Sequence, residues 1–255
     1  MTLLPRRVGH GELAELVEHL GELRHRLAIS AGTLGLAFAL TFIFRETIIG
    51  WLNGPLEGKE PITLGVAEPL TTSLLVSFYA ALALSLPVLF WQAWAYFAPA
   101  LDERTQKSIA RLVVLGSLVL AAGMAFAYWV VLPSTIPFLL DFDDELYQIE
   151  VRARDYYSFA ALTVVGVGAL FELPVFLLGL VRIGVLSAAR LRRNRRKGIV
   201  VLVAISVALP GVDPLTTLLQ TIPLLVLFEA SIWAAPIVER RRSRVTTAAQ
   251  PAPET

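Results

Sequence analysis

The sequence predicts an all-α integral membrane protein: six transmembrane helices, the last two short, with both termini on the cytoplasmic side. Three observations carry this. The 255 residues are 56% hydrophobic and only 17% charged, with a mean hydropathy of +0.66, more apolar surface than one soluble core of that size conceals. The apolar residues fall in runs long enough to cross a hydrocarbon core about 30 Å thick, which takes about 20 helical residues. The net charge of only +1 conceals a segregation of sign: 18 of the 22 lysines and arginines lie in 1–26, 95–111, 182–198 and 239–255. The intervening loops, 45–71 and 133–156, hold only Arg45, Lys59, Arg152 and Arg154, together with ten carboxylates. By the positive-inside rule the four basic segments are cytoplasmic, and only an even number of spans preserves the pattern.

The first segment, 1–26, carries Arg6–Arg7 followed by Glu12, Glu15, Glu18 and Glu22 rather than an apolar run, so no cleavable signal is expected. Apolar residues at 13, 16, 20, 23 and 27 recur at helical spacing opposite that acidic face. The reading is an amphipathic helix lying along the membrane surface before span one. Surface helices normally turn lysine and arginine toward anionic lipid, so the acidic face suits a basic partner. Equally, pairs such as Glu22–Arg26 at i,i+4 can serve only to stabilise the helix.

The spans are placed at about 27–50, 70–96, 110–133, 156–181, 198–211 and 214–236. Pro87 is expected to kink the second, which ends in Trp91, Trp94 and Tyr96, rings suited to the headgroup level. The third is expected to break near Pro133 and Pro137. The stretch 198–238 is too long for one span, and Pro210–Gly211 with Asp213–Pro214 signals a turn within it. The fifth helix then has about 14 residues and covers about 21 Å. Either the bilayer thins around such a hairpin, or the pair is re-entrant and never crosses; length leaves both open. The tail 239–255 is expected to be basic and disordered. The run from Arg190 to Lys197 reads as an anionic-lipid anchor beside the membrane rather than a nucleic-acid site.

Two acids stand where charge is costly. Glu172, in Phe171–Glu172–Leu173–Pro174, lies inside span four, where such groups face a cavity or a partner. Pro174 frees a carbonyl near it. Asp213 is fully explained as the cap of the last helix, with Pro214 at the first position. No cysteine is present, and the three histidines, at 10, 19 and 25, precede the first span. Neither a nucleophile–base pair nor a metal site is expected within the membrane, and no cofactor. The reading is not an enzyme.

Over about Glu18 to Trp233 the chain then resembles the TatC family, the multispanning signal-peptide receptors of twin-arginine protein export, and five segments in matching order carry the resemblance. They are Glu18–Leu27, Gly54–Pro55–Leu56, Pro87–Leu101, Gly123–Tyr128 and Phe171–Val175; Pro210–Pro214 with Phe228–Glu229 completes the pattern. The resemblance implies a concave, glove-like bundle in a prokaryotic plasma membrane. It implies binding of the arginine pair of folded precursors' signal peptides at the cytoplasmic face. It further implies TatA-type and TatB-type single-span partners, transport driven by the proton-motive force, and a homo-oligomeric receptor complex. The signal-peptide residues it implies are Glu22, Glu18, Arg24, Tyr96, Asp102 and Glu103; Thr105 stands where the family carries a loop glutamate. Glu172, Pro174, Asp213, Thr217 and Gln220 are implied to meet partners within the membrane, and Pro55 to shape the first outer loop. A proton-coupled secondary transporter built on Glu172 is the alternative, although no internal repeat of the kind transporters show is evident.

Overall fold

The protein, a computed structural model, is described over residues 10–56, 58–97, 103–143, 145–146, 149–209 and 213–248, with side chains described from Leu20 and not for 97, 103–109 or 241–248. Its elements are α1 (His10–Ile43), α2 (Arg45–Leu52), a 3-10 turn (Gly54–Leu56), α3 (Glu68–Phe97), α4 (Glu103–Phe126), a π-turn (Ala127–Val131), α5 (Leu132–Asp141), α6 (Ala153–Ile183), α7 (Ala188–Arg193), α8 (Arg195–Ala208) and α9 (Pro214–Ala248). Five stretches are long and apolar enough to cross a membrane: Leu20–Ile43, Glu68–Tyr96, Ala110–Asp141, Ala153–Ile183 and Pro214–Arg240. Helix α8, at 14 residues, reaches only about 21 Å.

Three expectations change. The N-terminal segment does not turn before span one: α1 is one helix of 34 residues, because no proline interrupts it and Glu22–Arg26 staples the junction. The third span does not break at Pro133 or Pro137. The π-turn immediately before Pro133 relaxes the hydrogen-bond ladder where the ring would meet a carbonyl, and helix continues to Asp141. Helix α9 runs on to Ala248, so 239–248, expected to be disordered, is helical, while 249–255 lies outside the described residues. Of the last two helices, then, only α8 is short.

Helix α6 is the axis against which α3, α4 and α9 pack. It crosses α4 at glycines. A Cβ added to Gly168 would lie 2.5 Å from Met124 Cγ and 3.3 Å from the Leu120 carbonyl oxygen. One added to Gly123 would lie 2.8 Å from Phe171 Cβ, and one at Gly179 would strike the Trp94 indole. Backbone contact of this kind is how helices associate in lipid, where apolar surface alone supplies no drive. Helix α1 lies on α3 in the same manner, across the small buried residues Ser77, Ala81 and Ser85, with the Thr41 hydroxyl donating to the Ser77 carbonyl at 2.8 Å. Helix α6 ends at Gly184, whose φ of 88° is the left-handed geometry that lets its N–H close the final turn onto Leu180 and Val181.

At the end opposite the basic segments, a polar cap ties the outer loops together. Glu68 accepts from Arg152 at 2.9 and 3.2 Å and from the amides of Leu64 and Arg154 at 3.0 and 3.4 Å. Its bond to Arg152 raises the guanidinium pKa above the ordinary value. Ile62 and Arg152 form an isolated parallel bridge beside it. The hydroxyls of Tyr156 and Tyr128 donate to the carbonyls of Leu52 and Trp51, and that of Tyr157 to Asn53 Oδ1. Pro55 and Leu56 are buried beneath this layer.

The glycine seam predicts that Gly168→Val lowers stability by about 1–3 kcal/mol through overpacking, read by thermal unfolding in detergent. The same change at Gly32, where nothing lies within 4 Å of an added Cβ, leaves the midpoint within error. Equal losses at both positions would show that the seam is not set by close approach.

Candidate functional site

At the basic end, α1 and α3 bring Glu22, Arg26 and Gln92 together. Arg26 Nε and one terminal nitrogen donate to Glu22 Oε1 at 3.1 and 2.5 Å, and its other terminal nitrogen donates to Gln92 Oε1 at 3.2 Å. The side chains of Arg26 and Glu22 are 21% and 28% exposed, so the pair is half-shielded yet reachable. Tyr96, half-buried, stands one turn beyond Gln92 on α3, and Arg24 is exposed. Glu18 lies one turn before Glu22 on the same face of α1, with its side chain outside the described residues. Asp102 is also outside them, and Glu103 begins α4 with its side chain undescribed. Gln92 was not legible as a member of this group. The i,i+4 spacing gave Glu22–Arg26 alone, whereas Gln92 is 66 residues away and enters only through the α1–α3 packing.

Glu172 lies in the α4–α6 seam, 5% exposed. A Cβ on Gly116 would come 2.6 Å from its Oε1, so the carboxyl in this position lies directly over a glycine. Its Oε2 is buried and has no hydrogen-bond partner among the described residues. Pro174, one half-turn on, is buried within an unbroken α6. Toward the cap end along the same seam opens an apolar groove of about 820 Å³ between α3 and α4, with α6 as its floor. Tyr79, Pro87, Ser117, Met124 and Val165 are among its walls, and Trp51 and Trp129, both largely exposed, stand at its rim. At the basic end Trp94 closes the seam, packing on Phe176 at 5.4 Å between centroids.

The α8–α9 turn is capped within the chain. Asp213 Oδ1 accepts from the Thr216 amide at 2.7 Å, and Oδ2 lies 2.6 Å from the Thr216 hydroxyl, which is 2.7 Å from that of Thr135 on α5. Thr217 donates to the Asp213 carbonyl at 3.0 Å. Gln220 points inward: its amide donates to the Ser206 carbonyl of α8 at 2.8 Å, while its own oxygen is buried without a partner among the described residues. Thr135 and Thr216, fully buried, escaped the sequence reading because isolated threonines in an apolar run carry no spacing signal.

The described side chains bring no three metal-ligating residues together. The model of the family described as Sec-independent protein translocase protein (TatC) matches residues 18–223. The chain is 33% identical to the Bacillus subtilis protein TatCd over 235 residues, 92% of this chain and 96% of the other. It is 33% identical to TatC of Helicobacter pylori strain 26695, covering 88% of each, and 34% identical to TatC of Magnetococcus marinus, covering 90% and 87%. A crystal structure of the twin-arginine translocase receptor TatC in DDM superposes with a TM-score of 0.76 at 32% identity, covering 85% of this chain and 99% of that one. A second crystal structure of the same receptor gives 0.71 at 31% identity, covering 86% and 99%.

The capping geometry makes Asp213→Ala cost about 0.5–2 kcal/mol in detergent unfolding, with Asp213→Asn, a comparable cap, retaining most of the stability. Were Asn as damaging as Ala, the carboxylate would serve something other than the cap.

Proposed function

Since the chain belongs to the TatC family of Sec-independent protein translocase components, we propose that it is the receptor that binds twin-arginine signal peptides and gathers the partners that export folded cargo. The observation that carries this reading is the Glu22 carboxylate, held at the basic end of α1 against Gln92 of α3. A peptide guanidinium is a planar fork that seeks a carboxylate and neighbouring acceptors, and partial burial strengthens such bonds. Glu22 supplies the carboxylate, the Gln92 amide oxygen is a neutral acceptor beside it, and Tyr96 flanks them. Glu18, with Asp102 or Glu103 from the following loop, completes the acidic surface. Here the loop acid stands two or three residues before Thr105.

In this reading α8 and α9 are the fifth and sixth crossings, and the basic end, both termini included, faces the cytoplasm of a prokaryotic cell. Glu172 meets a partner helix or the peptide's apolar segment from the concave side, where the groove supplies apolar walls. TatA-type and TatB-type single-span proteins assemble around several copies, and the proton-motive force drives transport. The receptor reading is supported by the crystallised receptors to which the chain is similar. No observation lends comparable support to a secondary transporter.

A precursor carrying photoreactive groups beside its arginine pair is expected to crosslink to membranes containing this chain, with loss of about tenfold or more when both arginines become lysine or when Glu22 becomes Gln, which keeps a polar side chain but no charge; that factor corresponds to about 1.4 kcal/mol. Undiminished crosslinking to the lysine precursor, with the protein inserted, would refute arginine recognition at this surface.

A further inference from the structure

We infer that the elbow between α7 and α8 is a binding site for the phosphate of an anionic phospholipid, seated well below the general level of the bilayer surface. The run from Arg190 to Lys197 holds six cations; Arg192, Arg193, Arg196 and Lys197 are all exposed. Among the described residues, the one ion pair this run makes is Arg195 to Glu229, at 2.6 Å.

The depth of the elbow follows from two contacts with α9. The amide of Ala188 at the start of α7 donates to Glu239 at 3.1 Å, whereas Arg195 at the start of α8 meets Glu229. Those acids are ten residues apart, about 15 Å along a helix axis. Leu191 and Ala188 are buried in the same cluster as Leu224 and Phe228, which pins α7 to this descent. Exposed Val200, Val201 and Val203 follow the cations directly, so an apolar, bilayer-facing strip adjoins the charge as a lipid tail adjoins its headgroup. A free anion in water gains nothing from that strip.

The local electrostatics require an anion. A helix N-terminus carries the positive end of the macrodipole and stabilises acids there. Helix α8 instead begins Arg195–Arg196–Lys197 with no acid in its first turn, and its cap residue Asn194 makes no side-chain cap bond. Three cations on the positive end of a helix repel it and one another; Glu229 answers one of them. A phosphodiester accepts from helix N–H groups and guanidinium forks together, and its attraction adds about 1 kcal/mol per basic residue near the surface.

The full chain, purified in detergent, is titrated with phosphatidylglycerol and, separately, with phosphatidylcholine, and retained lipid is counted by native mass spectrometry. Phosphatidylglycerol is expected to remain bound and phosphatidylcholine to be lost. Arg196→Gln with Lys197→Gln weakens retention by about fivefold for each charge removed. Asn194→Asp keeps every cation and supplies a carboxylate at the cap; it weakens retention too, and it folds because aspartate is a favoured cap. Equal retention of both lipids, displacement of phosphatidylglycerol by inorganic phosphate, or unchanged binding in both variants would overturn the proposal. A change in oligomer mass with lipid retention unaltered would assign the cations to a contact between copies and overturn it as well.

Discussion

Helix α6 is half buried along its apolar length, more than any other span, although lipid offers no hydrophobic reward for burying it. What holds its neighbours is contact at van der Waals distance, and that requires the absence of side chains at chosen points. Gly116 and Gly123 on α4, and Gly168 and Gly179 on α6, each leave less room than a Cβ needs. The spacing these contacts impose then fixes everything that lies in the seam. Glu172 fits because Gly116 leaves a place for its carboxyl, Trp94 seats on Gly179, and the groove toward the cap end opens where α3 and α4 diverge over the floor of α6.

Much of this architecture could be read in advance because a bilayer reduces folding to lengths and signs. The five long apolar helices and the 14-residue α8 followed from run length, and the start of α9 from Asp213–Pro214. What escaped depends on pairing between distant segments. Glu68 and Arg152 sit 84 residues apart and looked like loop charges of no special place; only the packing of α3 against α6 brings their loops together. Pro133 was over-read as a break, since a single π-turn, invisible in composition, absorbs its missing N–H. The acidic N-terminal face looked like a separate surface helix because its polarity differs from that of span one. Backbone continuity, however, depends on breakers rather than polarity, and none stands between them.

The group at the basic end carries a similar lesson about electrostatics. Both bonds from Arg26 to Glu22 fall on Oε1, so the internal pair falls short of the two-oxygen fork that a guanidinium prefers. An i,i+4 pair on a helix contributes only a few tenths of a kcal/mol. The arrangement therefore holds Glu22 in place at little cost to its availability. The other terminal nitrogen of Arg26 donates to Gln92, which joins the basic ends of α1 and α3 without consuming the second carboxylate oxygen. On the proposed function, an incoming arginine would displace a weak bond rather than a strong one.

The depth of α8 connects this end of the molecule to the other. Its far end is fixed by the buried chain Asp213–Thr216–Thr135 and by Gln220 on the Ser206 carbonyl, contacts that stop the hairpin from sliding toward the basic side. Its near end is fixed by Arg195 on Glu229 and by Leu191 in the core. Neither end can move to lengthen the apolar stretch between them, so in the proposed topology, with α8 as a crossing, the mismatch of about 9 Å between its ~21 Å reach and a ~30 Å hydrocarbon core is met by the lipid. The cations at the elbow lower the cost of that deformation, since each headgroup drawn inward meets a guanidinium instead of hydrocarbon. Helix α9 beside it, fully long, keeps the ordinary thickness on its other flank, so the thinning is confined to the edge that α8 presents.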